Sequence, residues 1–247
     1  MANHISMMDG SGNIVKEILA IFPIIKETDP EHWEIIGTGF YITANGIVAT
    51  ARHVLADVID ENKKKQKHAI FLAHFYEKNK FLIRPIVKAI LSNEADVALG
   101  LPAEFKNDET GELLRSKVLT LTTEIAKTGD RLATFAYPKS YTKQKEIHCW
   151  PDYYEGTVTE YYPNGHILLK EACYQTSINI LPGASGGPVF SPDGHVIGIN
   201  SAGFNGQPDI SHVSCISSLL KLSIPVNGRN CTISDLSNMG YVSLVKQ

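Results

Sequence analysis

The stretch LPGASGGPVF, Leu181 to Phe190, sets three glycines around one serine and then runs directly into apolar residues. Glycine lacks the Cβ that forbids positive φ, so this segment can turn sharply just before a strand. A serine hydroxyl is a weak nucleophile at neutral pH and needs a base beside it to attack a carbonyl. It also needs donors aimed at the oxygen that turns negative in a tetrahedral intermediate. With glycine at 183, 186 and 187, the loop can hold Ser185 at its apex and aim the amides of Gly183 and Ser185 inward as an oxyanion hole. Taken alone, the motif only narrowly outweighs a glycine-rich hairpin with an incidental serine.

Two earlier segments change the balance. TARHVL places His53 directly after the apolar segment GIVATA, where the chain leaves a sheet. DVALGL opens with Asp96, an acid at the mouth of an apolar strand, where burial is costly unless the carboxylate is hydrogen-bonded. Each has a bland reading, one of nine histidines and a strand-capping aspartate. Their joint order, His then Asp then Ser, is what the bland readings do not explain.

Composition sets the outer limits. The chain has 247 residues, 43% of them hydrophobic, enough to fill a substantial core. A net charge of −3 gives no reason to expect nucleic acid as a partner. No apolar run approaches the roughly 20 residues that span a membrane. The N-terminus lacks a basic start, and the apolar run after it is broken by Lys16, Glu17 and Pro23, so no signal peptide is expected. Cys149, Cys173, Cys215 and Cys231 show no metal spacing; they read as scattered thiols in a reducing compartment, although an even count permits disulfides. The expected location is cytoplasmic, and no cofactor is expected.

Short β-rich segments dominate. IIGTGFYIT and GIVATA flank Asn45-Gly46, a dipeptide suited to a hairpin. HAIFLAHFY, FLIRPIVKAIL, DVALGL, KVLTL, RLATFAY, YYEGTVTEYY, HILLKEACYQTS, GPVF and HVIGINSAG follow, separated by turns at Asn79, Gly129-Asp130, Pro163-Asn164-Gly165 and Pro192-Asp193-Gly194. This pattern predicts an all-β sandwich or barrel. Helices are expected at 13–20, 216–222 and 232–240, the last stopped by Gly240. The lysine-rich run at 62–67 reads as a solvated loop. No internal repeat is visible.

The segments GTGFYITANGIVATARHV, DVAL and YQTSINILPGASGGPVFSPDGHVIGINSAG resemble the chymotrypsin-like serine peptidases, closest to the bacterial HtrA/Deg branch. The resemblance covers about 14 to 222 and implies two six-stranded antiparallel barrels. The first, about 14–115, would carry His53 and Asp96; the second, about 116–222, would carry Ser185; 223–247 would be an extension. It implies that Ser185 is the nucleophile, His53 the base and Asp96 the residue that orients the imidazole. Ser201 matches the position that bonds the acid. Ser201, Ala202 and Gly203 match the edge on which a peptide substrate lies, and Asn179 matches the floor of the primary pocket. With Ile180 and Asn200 at the pocket walls, no charge favours Lys, Arg or an acid before the cut.

Departures from the family refine these expectations. Val54 and Leu181 stand where digestive relatives have cysteines, and Ala184 stands where they have the aspartate that pairs with a new N-terminus. Activation by that ion pair is therefore not available. The HtrA/Deg relatives usually add a PDZ domain, for which the roughly 25 residues after Leu222 are too few. The extension would either pack on the second barrel or dock a partner. The implied partner is a polypeptide substrate, with a single dedicated protein as one form of it, and the oligomeric state is open. The competing classes are a silent binding module of the same fold and a metal hydrolase, which lacks an HExxH pattern.

Overall fold

The computed structural model describes residues 5–9, 11–16, 19–56, 58–60, 65–77, 80–106, 111–113, 115–204 and 207–246. Of the lysine-rich run at 62–67, residues 62–64 lie outside them, as does the turn expected at Asn79, and Lys65–Gln66 pairs with Ile59–Asp60. The β-rich segments close into two rings. The first contains β1 (Ile21–Asp29), β2 (His32–Tyr41), β3 (Val48–Thr50), β4 (Ile70–Glu77), β5 (Lys80–Leu91) and β6 (Ala98–Pro102). Around the barrel they run β1-β2-β3-β6-β5-β4, every pair antiparallel, with β4 returning to β1 through Ile24 to Lys26.

The second ring contains β7 (Arg131–Ala136), β8 (Asp152–Tyr162), β9 (Cys173–Thr176), β10 (Pro188–Phe190), β11 (Val196–Phe204) and β12 (Gln207–Cys215). Its order is β7-β8-β9-β12-β11-β10, again antiparallel and closed by β10 on β7. The two barrels therefore share one topology. Leu121–Thr122 adds to β11 in parallel, and Leu244–Val245 adds to Leu121–Thr122, so the extension packs on the second barrel.

Closure removes exposed sheet edges and lets both barrels fill with side chains. One apolar cluster runs from the first barrel through the seam to Tyr137 and Phe190 of the second. A smaller cluster around Leu132, Val158, Ile178 and Val213 fills the second.

The helices are short. α1 (Arg52–Ala56) follows β3, α2 (Ile216–Leu219) follows β12, and α3 (Ile233–Asn238) starts at a Thr232–Asp235 capping box. Of the helix expected at 13–20, residues 13–16 are not helical and 17–18 lie outside the described residues. Asp9 accepts the amides of Ser11 and Asn13, and Ile14 forms a bridge with Met8, which turns this segment into a hairpin-like fold-back. Its described helical feature is one bond, from Leu19 N–H to Lys16 C=O at 2.9 Å. Tertiary pairing has overridden a local helical pattern.

Candidate active site

His53 is the second residue of α1. Its neighbours Val54 and Leu55 are buried and seat the helix on the first barrel, while the imidazole stands 49% exposed at the seam. Asp96 lies on the bend before β6, between buried Ala95 and Val97, with its own side chain partly exposed. The Ser92 hydroxyl accepts the amides of Glu94 and Ala95 and shapes that bend. Arg52 Nε donates to Ser92 O at 2.8 Å and ties the bend to α1.

The Asp96 carboxylate receives three donors. His53 supplies its backbone N–H at 2.9 Å and its Nδ1, also at 2.9 Å. Ser201 Oγ, from β11 of the other barrel, supplies the third. Burial pushes toward the protonated acid, but the hydrogen bond and charge of His53, with Ser201, outweigh it and hold the carboxyl below its ordinary 3.8. Against an ionised carboxylate, Nδ1 must be the donor. The neutral imidazole then keeps Nε2 as its basic nitrogen.

The Ser185 loop connects β9 to β10. Gly183 has φ +90° and Gly186 φ +85°, so the chain makes the sharp turn that the sequence suggests. Gly186 N–H donates to Asn200 O at 2.8 Å, and Asn200 N–H to Gly187 O at 2.9 Å. The fully buried Asn200 side chain donates to Thr134 Oγ1 at 2.7 Å. From the first barrel, Thr38 N–H donates to Ser185 O and Thr38 Oγ1 to Gly183 O, each at 2.8 Å.

These bonds bring Ser185 to the His53 side of the seam. A Cβ on Gly37 would lie 2.7 Å from a Val54 methyl and 3.0 Å from Ser185 O, so α1 and the loop meet over Gly37. Among the described residues, the amides of Gly183 and Ser185 donate to no acceptor, and no hydrogen bond joins Ser185 Oγ to His53. Such nucleophile–base contacts are often long without substrate and shorten in its complex.

The remaining expected residues divide. Ser201 is buried with its hydroxyl on Asp96, and Ala202 and Gly203 pair through their backbones with His212 and Ser211, on one side only among the described residues. The side chain of Ala202 lies outside the described residues. Asn179 is exposed and makes no side-chain hydrogen bond among the described residues, and its neighbour Ile178 is buried. Ile180 is half-buried, and Asn200 anchors the serine loop. Thr38 and Glu171 were not legible as site residues. Thr38 sits between two glycines in GTGFY, which hints at a crowded strand but not at its distant partner.

Two outcomes follow from this geometry. A Cβ on Gly186 would fall 2.1 Å from Thr50 Oγ1 and 2.2 Å from Thr38 O. Gly186→Ala therefore destabilises by about 2–4 kcal/mol and lowers Tm by more than about 4 °C in a thermal melt; an unchanged Tm contradicts this packing. For Asp96, the folded value lies below the ordinary 3.8, so its stabilisation is complete above that value and disappears as pH falls through the lower folded one. Urea titrations from pH 5 to 2 should show a shallower acid loss in Asp96→Asn than in wild type; identical profiles would refute the hydrogen-bonded carboxylate.

Comparison with known proteins sets this site in context. No curated protein matches the chain. Among solved structures, one described as Deg5 is 19% identical with a TM-score of 0.59, covering 85% of this chain and 89% of its own. The HtrA-type protease AlgW, with a tripeptide, is 20% identical at 0.61; 91% of this chain aligns, spanning 62% of that chain. The active form of the Rv3671c protease from M. tuberculosis is 16% identical at 0.58, covering 92% and 83%. At these identities the likeness shows the fold. The family model of the trypsin-like peptidase domain matches residues 37–199, which include His53, Asp96 and Ser185. With more than half of its length matched, the chain belongs to the trypsin-like peptidase family.

Proposed function

We propose that the protein is a serine endopeptidase acting through His53, Asp96 and Ser185. The observation that carries this reading is the His53–Asp96–Ser201 cluster, held across the barrel seam next to the Ser185 loop. Ser185 Oγ attacks the peptide carbonyl and passes its proton to His53 Nε2, while the carbonyl electrons move onto oxygen. The amides of Gly183 and Ser185 receive that oxyanion. His53 then protonates the leaving amine as the C–N bond breaks, leaving an acyl-enzyme that water hydrolyses by the same proton route. Asp96 stabilises the imidazolium throughout.

The substrate is a polypeptide in extended form. Beyond Asn200, β11 has no strand on its second edge among the described residues, so Ser201 to Gly203 offer backbone groups for one more antiparallel strand. Without a charged residue at Asn179, Ile180 or Asn200, the preferred side chain before the cut is neutral and of small or medium size. A dedicated protein substrate and a cytoplasmic setting complete the proposal; the latter rests on the scattered cysteines and the burial of Cys173, Cys215 and Cys231.

A fluorophosphonate probe should label the wild type and leave Ser185→Ala unlabelled, with His53→Ala labelled at least about 10⁴-fold more slowly. Folded wild type that resists the probe favours a silent binding module. Digestion of a peptide library should show no enrichment for Lys or Arg before the cleaved bond. Clear enrichment would overturn the reading of the pocket.

A further inference from the structure

Glu171 lies just before β9, in the second barrel, yet it holds the main chain of Asp96 in the first. Its Oε1 accepts the Asp96 backbone N–H at 2.7 Å and the Ser214 hydroxyl of β12 at 2.8 Å. Ser214 is fully buried, so the carboxylate oxygen is fixed from its own barrel before it reaches across the seam. Behind this contact lies a cavity of about 320 Å³, lined among others by Ser92, Glu94, Ala95, Lys170, Glu171 and Lys221. Without Glu171, the Asp96 amide would have to turn to water. Water would satisfy the donor but would not fix its direction.

Asp96 is thus gripped at both ends. Its side chain is held by His53 of α1 and Ser201 of β11, and its main chain by Glu171. A bond from N–H to carboxylate is about twice as strong as a neutral one and prefers a linear path. We propose that Glu171 is a positioning residue, which sets where the Asp96 carboxylate meets the His53 imidazole and thereby sets the basicity and aim of that ring. Its effect on reactivity rests on the peptidase reading; its effect on the His53–Asp96 contact does not. The other charged groups around the pair are Arg52 on α1 and Glu94, Lys170 and Lys221 around the cavity.

The test compares full-length wild type with Glu171→Ala and Glu171→Gln by fluorophosphonate labelling rate, thermal melt, and NMR of the His53 Nδ1 proton with pH titration of the ring. Glutamine keeps an oxygen that can accept both bonds. Glu171→Ala should label about tenfold or more slowly, because displacements of an ångström in such sites lower rates by up to about 10²-fold. Its His53 Nδ1 proton should lose its downfield hydrogen-bonded shift. Glu171→Gln should restore both, with a rate within about threefold of wild type. A wild-type rate and Nδ1 shift in Glu171→Ala would overturn the proposal, as would a glutamine variant as impaired as alanine. If wild type itself does not label, the peptidase reading fails, and the Nδ1 proton alone decides for or against positioning by Glu171. Should alanine prevent folding, Glu171→Asp, one methylene shorter, is read by the same criteria.

Discussion

The whole site depends on hydrogen bonds that cross from one barrel to the other, and Thr38 makes the central pair. Its N–H and hydroxyl both end on carbonyls of the serine loop, at Ser185 and Gly183. The N–H is available because of its register in the sheet. Thr38 lies opposite Pro23 on β1, and its carbonyl accepts the Thr50 hydroxyl at 2.7 Å, so both its main-chain groups point away from β1. This is a non-hydrogen-bonded pair of an antiparallel ladder. Pro23, which has no N–H to give, loses nothing by standing there. A proline inside a strand and a donor reaching the other barrel are two sides of one arrangement.

The shared topology explains why the chemistry gathers at this seam. His53 follows the third strand of its ring, and Ser185 follows the third strand of the other. Corresponding connections of two like barrels thus face each other, and neither barrel contains a complete site. Asp96 and Ser201 make the same point. The acid comes from one ring and a hydroxyl that satisfies it from the other. Burying a carboxylate is tolerable only when its lone pairs find donors; two of the three here come from His53 of the same barrel, and the third, Ser201, requires the barrels to be docked. Docking of the barrels completes the hydrogen bonding of the acid.

Much of this was readable in the residues. The segments around Asn45-Gly46 form adjacent strands, with Gly46 at φ +105°, and the His, Asp and Ser segments lie where local chemistry suggested. What escaped reading was set by distant partners. β1 was hidden by Pro23, whose missing donor matters only once its register is known. β12 was hidden by its polar content, because Ser211 is satisfied by Thr176 and Ser214 by Glu171. HILLKEACYQTS suggests one long strand, but only Cys173–Thr176 pairs; the preceding residues bend and deliver Glu171 to Asp96. The repeated topology left no repeat in the sequence. A backbone ladder fixes strand order without demanding the same side chains twice.

The serine loop also shows how its shape is held without charge. Digestive members of the resembled family use an aspartate beside the nucleophile, paired with a newly made N-terminus. Here Ala184 fills that place and is fully buried. The work passes to Asn200, whose main chain bonds Gly186 and Gly187 and whose amide reaches Thr134 and the Ala184 carbonyl. Each neutral bond contributes about 1 kcal/mol net, less than a buried charge would lose if left unpaired. Because all of them join Asn200 of β11 to β7 or to the serine loop, they form as the second barrel closes. The turn at Ser185 is therefore specified by barrel closure and by Thr38.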